Sequence, residues 1–284
     1  MSLFRLPRPR LEFKYRISEK TALAVREFIG GFLESDRNAA EAENASYVVS
    51  SCYLDSADLQ TFWHTVKDSE DRYKLRIRAY GREPEAPVFL EIKRRLNGMV
   101  LKSRAMVRRC RLTGILKGRL PEITDLVSED PRELLAAEEF VQLMTQIQAT
   151  PTALVVYDRE AWSSPDQTTD RLTMDRRVRV WPVSSFEFEV LPEVEPSRPF
   201  GKTVILEMKF SDGKPAWFRD LEMVLGLRRS SAAKYCEGIL RRGIERFVSG
   251  GPPSPAGLGE DGSVTARMHS RLEALAAREQ KLHP

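Results

Sequence analysis

The sequence predicts an α+β fold in which antiparallel strands form a barrel-shaped tunnel and helices flank it. Two patterns predict this architecture. Many segments alternate apolar and polar residues with the period of two that is typical of a strand, and segments with helical spacing lie between them. The polar positions of several strands are mostly arginine or lysine, with few acids among them. A barrel that turns these positions inward explains why charge of one sign collects on one face.

The first element is a strand over residues 11–17, where apolar Leu11, Phe13, Tyr15 and Ile17 alternate with charged residues. Ser18 can cap the helix that follows, because a serine side chain accepts a hydrogen bond from the first helical turn. Apolar residues continue at helical spacing through residue 33. Further strands are predicted over residues 47–55, 73–80, 88–95, 100–108, 153–162, 172–180, 186–190 and 203–210.

Three more helices are predicted. Pro131 favours a helix start, and apolar residues at helical spacing extend from there to Ile147. Two others are expected at about residues 215–227 and 230–248, packed outside the sheet. We therefore expect one folded domain over residues 1–248. Residues 249–263, rich in glycine and proline, read as a linker, and residues 264–284 as a short helix or a disordered tail.

The bulk properties are those of an ordinary soluble protein. The chain has 284 residues, of which 42% are hydrophobic and 30% charged. No apolar run approaches the ~20 residues of a membrane-spanning helix, and residues 1–10 lack the apolar segment of a signal peptide. The widely spaced Cys52, Cys110 and Cys236 predict neither a metal knuckle nor a disulfide framework. We therefore expect a cytoplasmic location.

The distribution of charge predicts an acidic ligand. The net charge is only +4, but basic residues cluster between Arg72 and Arg111, opposed there only by Glu83, Glu85 and Glu91. Within one strand, the period of two places Lys74, Arg76 and Arg78 on the same face. Similar alternation recurs in Glu91-Ile92-Lys93, Lys102-Ser103-Arg104, Arg171-Leu172-Thr173 and Glu207-Met208-Lys209. For any one strand the alternative is a solvated sheet face.

A cationic tunnel of this kind suits a chain of phosphates. The planar guanidinium of arginine binds phosphate oxygens in pairs, and lysine adds compact charge. The isolated acids Glu12, Glu91 and Glu207 are candidate ligands for Mg²⁺ or Mn²⁺, because these ions bridge carboxylate and phosphate oxygens. The alternative is that each acid pairs with a neighbouring lysine or arginine.

Seven motifs in order resemble the polyphosphate polymerase domain of the vacuolar transporter chaperone (VTC) family, within the triphosphate tunnel metalloenzymes. The resemblance covers about residues 8–245. The motifs are Glu12-Phe13-Lys14-Tyr15, Ser51-Cys52-Tyr53-Leu54-Asp55, Lys74-Leu75-Arg76-Ile77-Arg78-Ala79-Tyr80, Phe89-Leu90-Glu91-Ile92-Lys93, Tyr157-Asp158-Arg159, Arg171-Leu172-Thr173-Met174-Asp175 and Leu206-Glu207-Met208-Lys209. A sequence departure is Ala233-Lys234-Tyr235, where the family usually has Ser-Lys-Tyr.

The resemblance implies transfer of the terminal phosphate of ATP to a growing polyphosphate chain, with Mn²⁺ or Mg²⁺ as cofactor. It implies that the catalytic residues are Arg76, Arg78, Lys93, Arg159 and Arg171. It further implies that Glu207 is the metal ligand, with Glu12 and Glu91 as further candidates. The implied phosphate-binding residues are Lys14, Arg76, Arg78, Lys93, Lys102, Tyr157, Arg159, Arg171, Lys209 and Lys234.

Two other functions fit the same cationic tunnel. One is a hydrolase that cleaves triphosphate or polyphosphate, and the other is a polyphosphate-binding protein without catalysis. The sequence offers neither a Ser/His/Asp arrangement nor a Walker phosphate loop, so phosphates must be bound through side chains. Nucleic acid is disfavoured, because the strand aromatics fall mostly on the apolar faces rather than among the basic residues.

Overall fold

The computed structural model describes residues 11–36, 45–81, 83–96, 99–165, 170–186, 191–210 and 213–248. These residues form nine strands and six α-helices. The strands are β1 (Leu11–Ile17), β2 (Glu34–Ser35), β3 (Tyr47–Asp55), β4 (Asp71–Tyr80), β5 (Val88–Leu96), β6 (Met99–Val107), β7 (Thr150–Ser163), β8 (Arg171–Pro182) and β9 (Val204–Phe210). The helices are α1 (Glu19–Ile29), α2 (Gln60–Val66), α3 (Arg109–Leu116), α4 (Pro131–Gln146), α5 (Ala216–Val224) and α6 (Lys234–Arg242).

The strands form one antiparallel sheet in the order β1-β9-β8-β7-β3-β4-β5-β6, with the short β2 paired to β7. The sheet is strongly curled, so that side chains of β1 and β5 meet across its concave side: Lys93 Nζ lies 3.2 Å from Glu12 Oε1. We call the space enclosed by the curl the lumen. Among the described residues, no backbone ladder joins the edge strands β1 and β6. The α+β class and the strand-walled tunnel are confirmed, as a curled half-barrel rather than a sheet closed by hydrogen bonds.

The outer face of the sheet is apolar and is covered by helices. Leu75 and Ile77 of β4 pack with Phe140 of α4 in one buried cluster. Tyr15 of β1 and Leu206 of β9 belong to a second buried cluster, which also contains residues of α1 and α5. Because the outward positions of each strand are occupied by this core, the alternating charged positions must face the lumen.

Helices α2 and α6 lie on the lumen side of the sheet. The expectation that the two C-terminal helices pack outside the sheet is confirmed for α5 but wrong for α6. Tyr235 and Ile239 of α6 join a buried cluster with Val155 and Ile205. Val155 lies on the same face of β7 as Tyr157, and Ile205 lies on the same face of β9 as Glu207. Tyr157 and Glu207 both line the lumen. The sequence of α6 allows this because one of its faces is apolar. Part of the lumen is therefore filled by a helix, and only the remainder is open to a ligand.

The described structure corrects several predicted elements. Helix α1 ends at Ile29 rather than residue 33, and the last two predicted helices shorten to α5 and α6, with a 3₁₀ turn at Ile244–Arg246. Helices α2 and α3 were not predicted, because they have only seven and eight residues, too few to show a helical period clearly. Apart from Phe186, which lies outside any strand, the predicted strand 186–190 falls outside the described residues, as do the linker and the tail.

A β-bulge in the pairing of β7 with β8 determines which side chains enter the lumen. Val156 of β7 pairs with Arg179, but Asp158 pairs with Arg176, so the extra residue lies in β8, where Arg177 has a positive φ of 50°. After the shift, Arg159 pairs with Asp175. An extra residue in one strand re-aims the side chains that follow it. The bulge thus places an arginine and an aspartate side by side on the same wall.

Candidate active site

The open part of the lumen is a small cavity with a volume of about 160 Å³. Strands β1, β3, β4, β5, β7 and β9 form its wall, and the segment that begins α6 covers it. Basic side chains predominate in its lining, which consists of Lys14, Tyr53, Lys74, Arg76, Arg78, Lys93, Tyr157, Arg159, Glu207, Lys209, Ala232, Ala233, Lys234 and Tyr235. A cavity of this composition attracts an anion, because fixed cations in a partly buried site are only weakly screened.

Arg76 and Arg78 are held in fixed orientations by neighbours on adjacent strands. Arg76 donates to Glu91 over 2.6 Å and to the Tyr53 hydroxyl over 3.1 Å. Arg78 donates to Ser51 over 3.1 Å and to the Tyr157 hydroxyl over 3.3 Å. A guanidinium has five N–H donors, so both arginines keep donors for a ligand.

Glu91 lies beneath these arginines and is surrounded by cations. It is fully buried, and its carboxylate lies within 4 Å of Arg76, Arg78, Lys102 and Arg104, at 2.6, 3.7, 2.6 and 3.4 Å. Burial raises the pKa of Glu91, but the surrounding cations outweigh that effect and keep it well below the ordinary value. The observed partners are those of a carboxylate that holds basic side chains together.

A second buried carboxylate, Asp175, links the wall to α6. Asp175 accepts two hydrogen bonds from Arg159, at 2.7 and 2.8 Å, and its other contact is the ammonium of Lys234 at 2.7 Å. Burial opposes ionisation, but Arg159 and Lys234 lower the pKa of Asp175 to about 2. Lys234 also lies 4.9 Å from the ring centre of Tyr157. The helix that covers the cavity is therefore attached to its wall by an ion pair.

Two carboxylates and three lysines meet where β1, β5 and β9 approach one another. Lys14 lies 2.9 Å from Glu12 and 4.0 Å from Glu207, and Lys209 lies 2.5 Å from Glu207. Burial and the nearby Glu207 raise the pKa of Glu12, but attraction to Lys93, Lys14 and Lys209 leaves it at about 2. Burial and repulsion from Lys14 lower the pKa of Lys93 to about 8. Burial also raises the pKa of Glu207, but Lys209, Lys14 and Lys93 hold it well below the ordinary value, so both carboxylates are ionised at neutral pH.

The oxygen atoms at this position suit Mg²⁺ or Mn²⁺. Beside the Glu12 and Glu207 carboxylates, Thr173 pairs with Glu207 in the sheet register, and its buried hydroxyl has no hydrogen-bond partner. Among the described residues, no group of three or more His, Cys, Asp or Glu side chains could hold a metal. Mg²⁺ commonly binds through one or two carboxylates and takes its other ligands from phosphates and water. The residues present fit a cation of that kind, bound together with a phosphate ligand.

Helix α6 is also anchored by Asp55, a residue that is fully buried at the end of β3. Asp55 accepts hydrogen bonds from Thr61 N and Phe62 N at the start of α2, both at 2.9 Å, and from the Tyr235 hydroxyl at 2.7 Å. The Tyr235 ring stacks on Tyr53, with ring centres 4.6 Å apart. Burial and the Asp55 carboxylate raise the pKa of Tyr235 well above its ordinary value, so Tyr235 remains a hydrogen-bond donor.

The structure brings most of the sequence-predicted site residues into the cavity. Those that line it are Lys14, Arg76, Arg78, Lys93, Tyr157, Arg159, Glu207, Lys209 and Lys234. Three others lie close by: Glu91 is buried under the arginines and pairs with the exposed Lys102, and Glu12 lies beside Lys14. Arg171 is more remote from the cavity lining, since its guanidinium contacts Asp36 at 2.5 Å and the Tyr47 hydroxyl at 3.4 Å.

Sequence reasoning did not assign Lys74, Tyr53, Asp175 and Tyr235 to the site. Lys74 shares a strand face with Arg76 and Arg78, and this alternation was sufficient to include it. Tyr53 lies directly opposite Arg76 in the register of β3 and β4. No sequence pattern joins Tyr235 to Asp55, which is 180 residues away.

Fold and cavity together define a curled antiparallel-sheet protein with a cationic lumen suited to an anionic ligand. The chain belongs to the VTC domain family, whose model matches residues 9–241. This membership supports a function related to polyphosphate and an enzyme of the phosphotransferase type. None of the described helices is long and apolar enough to cross a membrane.

Comparison with solved structures gives remote similarities. The PH1819 protein from Pyrococcus horikoshii OT3 is 13% identical, with a TM-score of 0.40, over 82% of this chain and 96% of that chain. A chain of the Schizosaccharomyces pombe Mediator head module is 9% identical, with a TM-score of 0.35, over 76% of this chain and 90% of that chain. No match to a curated protein was found.

Proposed function

We propose that this protein extends inorganic polyphosphate by transferring the terminal phosphate of ATP to the end of a chain held in the lumen. In this reaction the bond from the terminal phosphorus of ATP to its bridging oxygen breaks. A new bond forms between that phosphorus and a terminal oxygen of the polyphosphate, and ADP leaves. The observation that carries the proposal is the excess of cations over carboxylates in the cavity, together with membership in the VTC domain family.

The chemistry of phosphoryl transfer matches this arrangement. The reaction needs little covalent help from the protein and depends on positioning and on neutralising charge at the phosphate oxygens. Arg76, Arg78 and Arg159 are positioned by buried carboxylates or hydroxyls before a ligand arrives. Pre-positioned donors do not have to reorganise during the reaction, and this favours the transition state. Lys14, Lys93, Lys209 and Lys234 add charge around the same cavity.

Glu207 and Glu12, with the Thr173 hydroxyl, would hold a divalent cation alongside the phosphates. Such an ion, when bound, would neutralise charge on the phosphate oxygens. Lys209 now contacts the Glu207 carboxylate at 2.5 Å, so it would have to leave that carboxylate when the cation enters. Its ammonium group would then be available to the phosphate chain.

The test is to incubate the purified protein with ATP and either Mn²⁺ or Mg²⁺, and to measure long-chain polyphosphate, ADP and free phosphate together. We expect polyphosphate and ADP to appear in step, with little free phosphate. Arg76→Ala should reduce polyphosphate synthesis by roughly 100-fold, the scale of losing one pre-positioned donor. Arg198→Ala is the matched control, because Arg198 is an exposed arginine that pairs locally with Glu195.

Other outcomes lead to the alternatives. Free phosphate without polymer would make the protein a hydrolase of the same cavity type. If ATP is not consumed but polyphosphate still binds, the protein is a non-catalytic polyphosphate binder. Failure of both reactions with either metal would contradict the enzyme proposal.

A further inference from the structure

A second cavity continues from the first toward the protein surface. Its volume is about 300 Å³, and it shares Lys14, Lys74 and Lys93 with the first cavity. Its other charged side chains include Arg72 and Arg95, and Glu12, Arg94, Tyr73, Thr65, Val100 and Ser230 complete its lining. Arg95 is exposed, so this space reaches solvent. We call it the outer groove.

The sheet register places like charges directly opposite each other along the outer groove. On the paired strands β4 and β5, Lys74 faces Lys93 and Arg72 faces Arg95. On β6, Lys102 lies opposite Lys93 as well. Like charges in directly opposed positions destabilise an antiparallel pair. An anion that lies across two such successive pairs would relieve their repulsion and stabilise this part of the sheet.

Arg95 differs from the other arginines of this region in having its charge uncompensated. Arg72 pairs with Asp68 at 2.6 Å, and Arg94, which also lines the groove, pairs with Asp71 at 3.4 Å. Arg95 forms no ion pair with any residue that the structure describes. Its exposed guanidinium, next to the space that leads to the lumen, is therefore available to a ligand from outside.

We propose that the outer groove binds the phosphates of a polyphosphate chain that extend beyond the lumen, with Arg95 as its outermost contact. This inference rests on the proposed function, since it needs a chain longer than the lumen can hold. Lys74 and Lys93 contact both spaces and so connect the inner and outer phosphates. The ligand class is a linear polyphosphate, and a tripolyphosphate is too short to fill both cavities.

The experiment is a binding measurement without ATP or turnover. The wild type and Arg95→Ala are titrated with tripolyphosphate and with long-chain polyphosphate at low and moderate salt. We expect Arg95→Ala to weaken binding of the long chain several-fold, with a shallower salt dependence, and to leave tripolyphosphate binding unchanged. Arg198→Ala, an exposed arginine of the same charge elsewhere on the protein, should bind both ligands as the wild type does.

The possible results separate this inference from the proposed function. If Arg95→Ala loses the same affinity for long-chain polyphosphate as for tripolyphosphate, or loses affinity for neither, the outer groove is not a distal phosphate site. If single-stranded nucleic acid binds as tightly as polyphosphate and loses as much in Arg95→Ala, the groove is a general polyanion site and the inference is wrong. If the protein makes no polymer from ATP, the proposed polymerase function is wrong. A chain-length-dependent loss of binding in Arg95→Ala would still support the outer groove.

Discussion

At the residue scale, the lumen concentrates like charges, and this makes its lysines responsive to pH. Burial is the largest effect on both Lys93 and Lys102 and lowers the pKa of each to about 8; repulsion from Lys14 adds to the effect at Lys93, whereas Glu91 opposes it at Lys102. A lysine with a depressed pKa loses its proton as the pH rises through about 8. The empty cavity therefore carries less positive charge at pH 9 than at pH 7.

We predict that Lys93→Arg flattens the pH dependence of tripolyphosphate binding between pH 7 and pH 9. In the wild type, deprotonation of Lys93 should weaken binding as the pH rises, whereas arginine stays charged throughout. The measurement is calorimetric titration at several pH values. Protonation of the ligand affects both proteins equally, so it cancels in the ratio of their affinities. Lys20→Arg, at an exposed position of α1, should keep the wild-type profile. A constant ratio across this range would show that Lys93 does not titrate there.

The Glu207 carboxylate gives a prediction with opposite signs in two assays. Glu207→Gln should reduce metal-dependent polyphosphate synthesis by roughly 100-fold or more, because a ligand for the divalent ion is lost. Without metal, the same variant should bind tripolyphosphate more tightly, because a negative charge has left a cationic cavity. Both assays are needed, since a misfolded variant would lose activity and binding together.

The control for Glu207→Gln is Glu195→Gln, which removes the same charge from an exposed side chain that pairs with Arg198. It should match the wild type in both assays. If Glu207→Gln synthesises polyphosphate at the wild-type rate, Glu207 is not a metal ligand.

At the scale of elements, the position of α6 decides whether the lumen forms a site. Lys234 is the first residue of α6 and reaches Asp175 across the cavity, while Tyr235 fixes the same turn to Asp55. Asp55 also accepts hydrogen bonds from the first turn of α2. One buried carboxylate therefore holds two helices inside the curl of the sheet. The ammonium of Lys234 depends on this attachment for its position.

We predict that Tyr235→Phe lowers the affinity for tripolyphosphate by loosening the first turn of α6. The change keeps the ring that stacks on Tyr53 and removes only the hydrogen bond to Asp55. Losing a buried hydrogen bond to a carboxylate costs about 1–3 kcal/mol of unfolding free energy, which denaturant unfolding measures. Binding should weaken several-fold in the same variant.

A double-mutant cycle distinguishes positioning from general destabilisation. If Tyr235 acts through Lys234, then Tyr235→Phe should have little further effect on binding in a Lys234→Ala background. Additive losses would mean that Tyr235 supports the fold without positioning Lys234. Phe62→Leu, in the same buried cluster, provides a control for loss of packing alone.

At the scale of the whole molecule, ion pairs of the lumen join strands and helices that are distant in the sequence. Glu12 of β1 contacts Lys93 of β5, and Asp175 of β8 contacts Lys234 of α6. The pKa of each of these two carboxylates is about 2 in the folded protein, below the ordinary values of 4.5 and 3.8. A depressed folded-state pKa means that the unfolded state binds more protons in acid. These carboxylates therefore stabilise the fold above about pH 5, and that stabilisation is lost as the pH falls toward 2.

We predict that the free energy of unfolding declines between pH 5 and pH 2, with Asp175 alone accounting for about 2 kcal/mol of the decline. Urea unfolding at a series of pH values measures it. Asp175→Asn should be less stable at pH 7, because two buried cations lose their partner, and its stability should depend less on pH in this range. A parallel pH dependence in the variant and the wild type would contradict the assignment.

The sequence alone was sufficient for much of the fold and for the candidate wall residues. The period of two and the charge of each position are local properties, so the face shared by Lys74, Arg76 and Arg78 follows from neighbouring residues alone. The apolar positions between them required an outer core, and this fixed the direction in which the cations point. The ordered motifs predicted the family, which the match over residues 9–241 confirms.

Only the tertiary structure decided how these strands and helices meet. The curl of the sheet brings Glu12 to Lys93, the bulge in β8 places Asp175 beside Arg159, and the apolar face of α6 packs inside the lumen rather than outside the sheet. Each of these contacts joins residues whose separation depends on backbone geometry summed over many strands. Neither the periodicity nor the composition of the sequence gives those separations. The sequence therefore determined which residues form the wall of the site, and the tertiary structure determined how the site is closed.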